Sequence, residues 1–199
     1  KPRTPGYVAP WNRVTEDTVL DLAPGERANR LEFRGTLLGN DHKALAHLLL
    51  YVYHADIHGF YGTTATPEIP SMAGCVRSGP HGGFIVRTTV PGSYGGPPHI
   101  HLEASLPGRG RCVNAVNLRP DSATGSLPGF IPSSGRPQWA TYYPFTAVVH
   151  LDRDGIYRAE RQLDTATWSD VPDLDSLNKA HALIYERAPW RQANPESRR

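Results

Sequence analysis

Short apolar stretches alternate with turn residues along most of the chain. Turn-forming groups such as Gly39-Asn40-Asp41 and Asp152-Arg153-Asp154-Gly155 separate stretches of strand length. Closely spaced short strands of this kind are typical of a β-sandwich. The predicted strands are 31–38, 46–54, 84–89, 100–105, 113–118, 146–151 and 156–162. We therefore predict an all-β fold, a Greek-key-like β-sandwich.

The two ends of the chain depart from this strand pattern. Residues 1–30 are rich in proline and charge. We expect them to form an N-terminal arm that lies across the domain or a partner subunit, with 15–22 as its one short helix. From 173 to 187 apolar residues recur at intervals of three to four, which predicts an amphipathic C-terminal helix. The expected organisation is an arm at 1–30, a sandwich at 31–165, and a helix and tail at 166–199.

Composition narrows the class of protein. The chain has 199 residues with 19 glycines, 19 prolines and 39% hydrophobic residues, which suits one turn-rich domain. A net charge of +2 is too small to indicate a nucleic-acid partner. No apolar run approaches the ~20 residues that cross a membrane, so we expect no membrane partner and a cytoplasmic location. A removed secretion signal would leave no trace. Cys75 and Cys112 form either one disulfide or two buried free thiols.

Candidate metal chemistry is concentrated between residues 89 and 101. His99 and His101 stand two apart in a predicted strand, so both imidazoles point to the same face. Tyr94 lies five residues upstream, beyond a turn of glycines and prolines. Two imidazoles and a phenol make most of a metal site, and a phenol ligates well when a hard metal such as iron(III) displaces its proton. The alternative is that the two histidines mark the half-polar face of an ordinary strand.

Three segments line up with a known family. The first, 51–61, is an apolar strand followed by Asp56, Gly59 and Tyr61. The second, 82–94, is a glycine-led strand that runs into Thr-x-x-Pro-Gly-x-Tyr, and the third is Pro98-His-Ile-His101. Together they resemble the intradiol ring-cleavage dioxygenases, non-haem iron(III) enzymes of the catechol and protocatechuate dioxygenase type. The resemblance covers about residues 31–120, and the short turn before His99 resembles the compact, single-domain branch.

The resemblance implies a metal site and an activity. Its implied iron(III) ligands are Tyr61, Tyr94, His99 and His101, with Tyr94 and His99 axial. Tyr94 would be both a ligand and the catalytic base. The implied reaction inserts O2 into a catechol-like aromatic and gives a ring-opened diacid. Family members commonly pair through their N-terminal segments, which makes a homodimer the expected assembly.

Two family residues are replaced in this chain. Gly96 stands where an arginine is usual, and Ala115 stands near a usual glutamine. One explanation is that another cation takes the arginine's place, although each candidate is expected to be a solvated surface residue. The candidates are Arg77, Arg87, Arg109 and Arg111. The other explanation is that the same iron site performs a different oxygenation, rearrangement or cyclisation on a non-catechol substrate.

Two further expectations follow from the same segments. The short turn between Tyr94 and His99 removes part of the usual pocket wall, so a bulky substrate from secondary metabolism is expected. Asp56 and Gly59 are expected to form the turn that places Tyr61, with His54 and His58 facing solvent rather than lining the pocket. A third hypothesis for the whole chain is a non-catalytic, transthyretin-like binding module without metal.

Overall fold

The described part of the chain is built from β-strands. A computed structural model describes residues 14–20, 29–57, 59, 72–93, 97–129 and 145–170. The strands are β1 (Asp17–Val19), β2 (Arg30–Leu38), β3 (Leu49–His54), β4 (Met72–Arg77), β5 (Gly83–Thr89), β6 (His99–Leu106), β7 (Gly110–Pro120), β8 (Phe145–Leu151), β9 (Tyr157–Asp164) and β10 (Ser169–Asp170). A single 3-10 turn at Thr165–Thr167 interrupts them among these residues. The predicted all-β class is confirmed.

The strands form one continuous sheet that folds back on itself. Its order is β1-β5-β2-β9-β8-β7-β6-β3-β4, with β10 pairing to β7. The two ends of this order meet, because the amide of Arg77 in β4 donates to the carbonyl of Thr15, just before β1, at 2.9 Å. Leu20, just after β1, also packs against Gly74 of β4. The result is a two-layered sandwich around one core, as the sequence predicts.

Alternation along the strands separates the core from the outer faces. In β2, Leu31, Phe33 and Leu37 are buried in the core, and Arg34 points outward. β6 differs, because both of its faces are buried. Its Ile100, Leu102 and Ala104 lie in the hydrophobic core, while His99, His101 and Glu103 on the opposite face are buried too. Buried polar groups need partners, so this second face of β6 is where a site is expected.

The prediction of a short helix at 15–22 is wrong. Asp17–Val19 is a strand that pairs in parallel with β5, and Leu20 donates its amide to the carbonyl of Arg87 at 2.9 Å. The β-branched Thr18 and Val19 favour this extended pairing over a helix. The strands β4 and β10 were not predicted from the sequence. β1 lies in the segment predicted as the N-terminal arm, and β10 lies in the segment predicted as the C-terminal helix and tail. The C-terminal helix expected at 173–187 lies outside the described residues.

Cys75 and Cys112 are free and buried, so the alternative of two free thiols is confirmed over a disulfide. Burial raises the pKa of Cys75 to about 12 and, together with a hydrogen bond to Asp170, that of Cys112 to about 11. Thiols with such pKa values stay protonated and unreactive at neutral pH. Within the described residues, no helix is long and apolar enough to span a membrane.

Candidate metal centre

His99 and His101 converge on the buried second face of β6. They are 3% and 6% exposed, and their Nε2 atoms lie 3.0 Å apart. Their rings meet edge to face, with centroids 4.7 Å apart and planes at 78°. The register places Asn117 of β7 opposite His99 and Ala115 of β7 opposite His101. The predicted sharing of one strand face is confirmed.

The orientation of both rings is fixed by neighbouring groups. His99 Nδ1 lies 3.0 Å from the carbonyl of Pro97, which can only accept, so Nδ1 carries the proton and Nε2 presents a lone pair. Burial lowers the pKa of His99, opposed by this hydrogen bond, so the ring is neutral at pH 7. His101 stacks on Tyr53 of β3, with centroids 4.7 Å apart and planes 10° apart. Partners of this kind set the tautomer and angle of metal-binding histidines.

The histidine pair fits the binding of one metal ion. Two nitrogens that bind one ion at about 2.1 Å, at a right angle to each other, lie about 3.0 Å apart. The observed Nε2 spacing matches this, although a proton shared between the rings also accounts for it. Among the described residues, no third histidine, cysteine, aspartate or glutamate completes a cluster around them. The other two expected ligands, Tyr61 and Tyr94, lie outside the described residues, as do Gly96 and His58.

A further set of buried polar side chains continues this face away from the histidines. Glu103 is fully buried, and its Oε2 lies 3.4 Å from Nη2 of Arg111. Tyr51 pairs with Glu103 and with Cys75 on neighbouring strands. Burial, the charge of Glu103 and Cys75 all raise the pKa of Tyr51, so it remains a neutral phenol. Tyr51 is therefore unsuited to serve as a tyrosinate ligand.

The four arginines considered as replacements for the family arginine have different surroundings. Arg87 bonds Asp17 and Glu32 on the outer face of the other layer. Arg109 donates to the carbonyls of Thr165 and Trp168 and to Asp170, and Arg77 donates to the carbonyl of His47. Arg111 lies on the histidine face of β7, opposite Ser105, and its side chain is 14% exposed. The expectation of a solvated surface residue is therefore wrong for Arg111, because its register opposite Ser105 turns it inward.

The position of Ala115 supplies no polar group to the site. Ala115 is fully buried opposite His101, and a methyl group can neither donate nor accept a hydrogen bond. The amide of its neighbour Asn114 points to the other face, where it bonds the backbone of Ala115 and Thr167. Asn117, opposite His99, is the buried amide nearest to the pair along β7. Asn117 was not predicted as a site residue from the sequence. The two-residue alternation of a strand places it on the same face as Ala115, which is the face of the histidines.

His54 is buried, so the expectation that it faces solvent is wrong. It is 0% exposed, with Nδ1 2.6 Å from the carbonyl of Ala55 and Nε2 2.7 Å from Oγ1 of Thr88. Burial lowers the pKa of His54 to about 4, and the nearby His99 adds to the effect. The neutral ring donates a hydrogen bond through Nδ1 to Ala55 and accepts one from the Thr88 hydroxyl at Nε2. His54 therefore joins β3 of one layer to β5 of the other.

The turn expected after β3 is confirmed. Gly59 donates its amide to the carbonyl of Asp56 at 3.0 Å and adopts a φ of 85°, which favours glycine. The same carbonyl accepts from the amide of Gly92 at 2.8 Å. The segment that leads to Tyr61 thus touches the segment that leads to Tyr94.

The chain is similar to catechol dioxygenases in sequence. It is 34% identical over 119 residues to catechol 1,2-dioxygenase 1 of Acinetobacter lwoffii, covering 57% of this chain and 38% of that protein. It is 26% identical over 148 residues to catechol 1,2-dioxygenase of Acinetobacter baylyi, covering 62% and 48%. The chain spans less than half the length of these curated relatives. No family model matches it.

Solved structures of similar fold come from the same group of proteins. The dioxygenase domain of a dioxygenase and carbohydrate-binding fusion from a cellulolytic Streptomyces has a TM-score of 0.53 at 23% identity, with 82% of this chain and 90% of that chain covered. 3-Chlorocatechol 1,2-dioxygenase of Rhodococcus opacus has a TM-score of 0.55 at 18% identity, with 79% and 68% covered. At these identities the likeness establishes the fold alone. Together with the sequence relatives, it confirms the resemblance of this chain to the intradiol ring-cleavage dioxygenases.

Proposed function

We propose that this chain is an iron(III)-dependent dioxygenase of the intradiol type. It inserts O2 into a catechol-like aromatic and yields a ring-opened diacid. The observation that carries the proposal is the buried pair His99 and His101, whose Nε2 atoms lie 3.0 Å apart, in a chain whose sequence relatives are named catechol 1,2-dioxygenases. A transthyretin-like binding module would have no use for two buried imidazoles whose Nε2 atoms lie 3.0 Å apart.

The proposed ligand set is Tyr61, Tyr94, His99 and His101. Two phenolates bring negative charge to the metal and favour the ferric state. Ferric iron supplies a Lewis acid that lowers the pKa of both catechol hydroxyls and withdraws electron density from the ring. Within the protein, Tyr94 accepts one hydroxyl proton at its phenolate oxygen and so acts as the base. His99 would hold the metal through Nε2, because its Nδ1 donates to the carbonyl of Pro97 and leaves Nε2 available.

The surroundings of His101 bear on the substrate. Ala115 replaces a side chain that would hydrogen-bond near His101, and Arg111 is engaged with Glu103. The substrate must therefore itself stabilise the negative charge that develops during the reaction. An extended aromatic ring system does so by delocalising that charge. We accordingly propose a bulky, polycyclic or polyketide-like catechol as substrate rather than catechol itself.

A second candidate function uses the same metal. The engagement of Arg111 by Glu103 and the methyl group of Ala115 favour it, since the usual groups for ring cleavage are replaced. The ferric site would then bind an enolate or phenolate and promote a different oxygenation, rearrangement or cyclisation. The two candidates differ in whether O2 disappears when catechols are added.

Oxygen uptake by the iron-loaded protein tests the proposal. The substrates are catechol, hydroxyquinol and a polycyclic ortho-dihydroxy aromatic, with mass spectrometry for a product that gains both oxygen atoms. We expect uptake with the polycyclic compound, and its loss in Tyr94→Phe and His101→Ala. Iron-loaded protein that consumes no O2 with any catechol would favour the second candidate. Full activity in Tyr61→Phe, Tyr94→Phe and His99→Ala alike would exclude both.

A further inference from the structure

We propose that His54 and Thr88 are positioning residues for the metal centre, and that their hydrogen bond fixes the two segments leading to Tyr61 and Tyr94. The inference rests on the proposed function. It concerns residues that bind neither metal nor substrate. Its basis is a set of hydrogen bonds and close contacts between the end of β3, the end of β5 and the segment at 121–129.

The first contact is the His54–Thr88 hydrogen bond at 2.7 Å. Both side chains are buried, at 0% and 1% exposure, so water cannot replace either partner. His54 also donates to the carbonyl of Ala55 at 2.6 Å, which fixes its tautomer and leaves Nε2 to accept from the Thr88 hydroxyl. One ring therefore ties the last residue of β3 to β5 across the sandwich.

The second contact lies immediately beyond these strand ends. The carbonyl of Asp56 accepts from the amides of Gly59 and Gly92, at 3.0 and 2.8 Å. A Cβ on Gly92 would lie 2.3 Å from the carbonyl oxygen of Ile57, so the two backbones are in direct contact there. The amide of Ser93 then donates to the carbonyl of Gly129 at 3.2 Å. These backbone bonds extend the link that His54 makes.

The position of these contacts along the chain connects them to the metal centre. Tyr61 follows Gly59 by two residues, and Tyr94 directly follows Ser93. β3 also carries Tyr53, whose ring stacks on His101, next to His54 in sequence. A shift between β3 and β5 would therefore move the backbone segments that lead to Tyr61 and Tyr94, together with the Tyr53 ring that stacks on His101. Groups that orient metal ligands typically alter metal affinity about 10- to 100-fold when removed.

The neighbouring threonines of β5 provide a matched test. Thr88→Val removes the hydroxyl that His54 accepts from, and Thr88→Ser restores it. Thr89→Val is the control, because the Thr89 hydroxyl is equally buried and has no hydrogen-bond partner among the described residues. The measurements on the full chain are iron(III) affinity by chelator competition, the phenolate-to-iron absorption band, and the melting temperature of the iron-free protein.

We expect Thr88→Val to weaken iron binding by about tenfold or more and to shift the absorption band. Thr88→Ser should restore both, and Thr89→Val should match the wild type. If Thr88→Val does not fold, His54→Asn replaces it, since Asn retains a donor for Ala55 but does not reach Thr88. Unchanged iron affinity and absorption in the variant, with only a lower melting temperature, would overturn the inference. Wild-type protein that binds no iron would refute the metal site itself, a result visible before any variant is made.

Discussion

Tyr53 and His101 lie face to face on adjacent strands, with ring centroids 4.7 Å apart and planes 10° apart. The stack exists because the antiparallel register of β3 and β6 pairs these two residues directly. Tyr53 is 2% exposed, so its ring cannot move away without opening the core. The imidazole is thereby held at the angle from which its Nε2 meets that of His99.

Replacing the Tyr53 ring is expected to loosen His101. Tyr53→Leu removes the stacked ring, and Tyr53→Phe keeps it. We predict that the free energy of unfolding falls by about 1 kcal/mol more in Tyr53→Leu than in Tyr53→Phe, the usual contribution of an aromatic pair. Urea denaturation of the iron-free variants measures this difference. Iron affinity should fall in the same order, and equal affinities in the two variants would show that the stack does not orient His101.

A methyl group at Gly92 is expected to disturb the contact between the segments that lead to Tyr61 and Tyr94. The Cβ of Gly92→Ala would lie 2.3 Å from the carbonyl oxygen of Ile57, a backbone atom that cannot turn aside. We predict a loss of about 1–3 kcal/mol in the free energy of unfolding. Gly83→Ala is the control, since nothing lies within 4 Å of its added methyl. Equal stability of the two variants by urea denaturation would contradict the close approach.

Removing one partner of the buried Glu103–Arg111 pair is expected to destabilise the protein more than replacing both partners with apolar side chains. Glu103 is fully buried, so Glu103→Leu alone leaves the Arg111 charge in a poorly hydrated site. We predict a loss of about 3–5 kcal/mol for that single change and a substantial recovery in Glu103→Leu/Arg111→Met. A double-mutant cycle measured by denaturation gives the coupling. For comparison, Lys43→Ala at the exposed Lys43–Asp41 pair should leave the free energy of unfolding nearly unchanged.

Acid is expected to destabilise the iron-free protein partly through His54. Burial lowers the folded-state pKa of His54 to about 4 from its ordinary 6.5. Between those values the unfolded chain binds a proton that the folded chain does not, so stability falls as pH falls through this window. The contribution is at most about 3 kcal/mol. Between pH 7 and pH 4, the free energy of unfolding should fall more steeply with decreasing pH in the wild type than in His54→Gln. Parallel curves for the two proteins would show that His54 is more hydrated in the folded state than proposed.

The sequence predicted those features that depend on local periodicity. The shared face of His99 and His101 follows from the two-residue repeat of a strand, and the turn at Asp56–Gly59 follows from glycine's access to positive φ. The burial of His54 and the partial burial of Arg111 were missed because both depend on which strands become neighbours. β4 was missed because its Ala73-Gly74 pair carries no strong strand propensity. Pairing with β3 supplies the stabilisation that this segment lacks by itself.

The most direct test of the account is the iron content of the purified protein together with its visible spectrum. Tyrosinate bound to iron(III) gives a red-brown to purple colour through charge transfer. We expect one iron per chain, that colour, and a change in the absorption band when a catechol-like compound is added. A colourless protein that cannot be reconstituted with iron(III), while its histidine pair remains intact, would contradict the proposed metal centre.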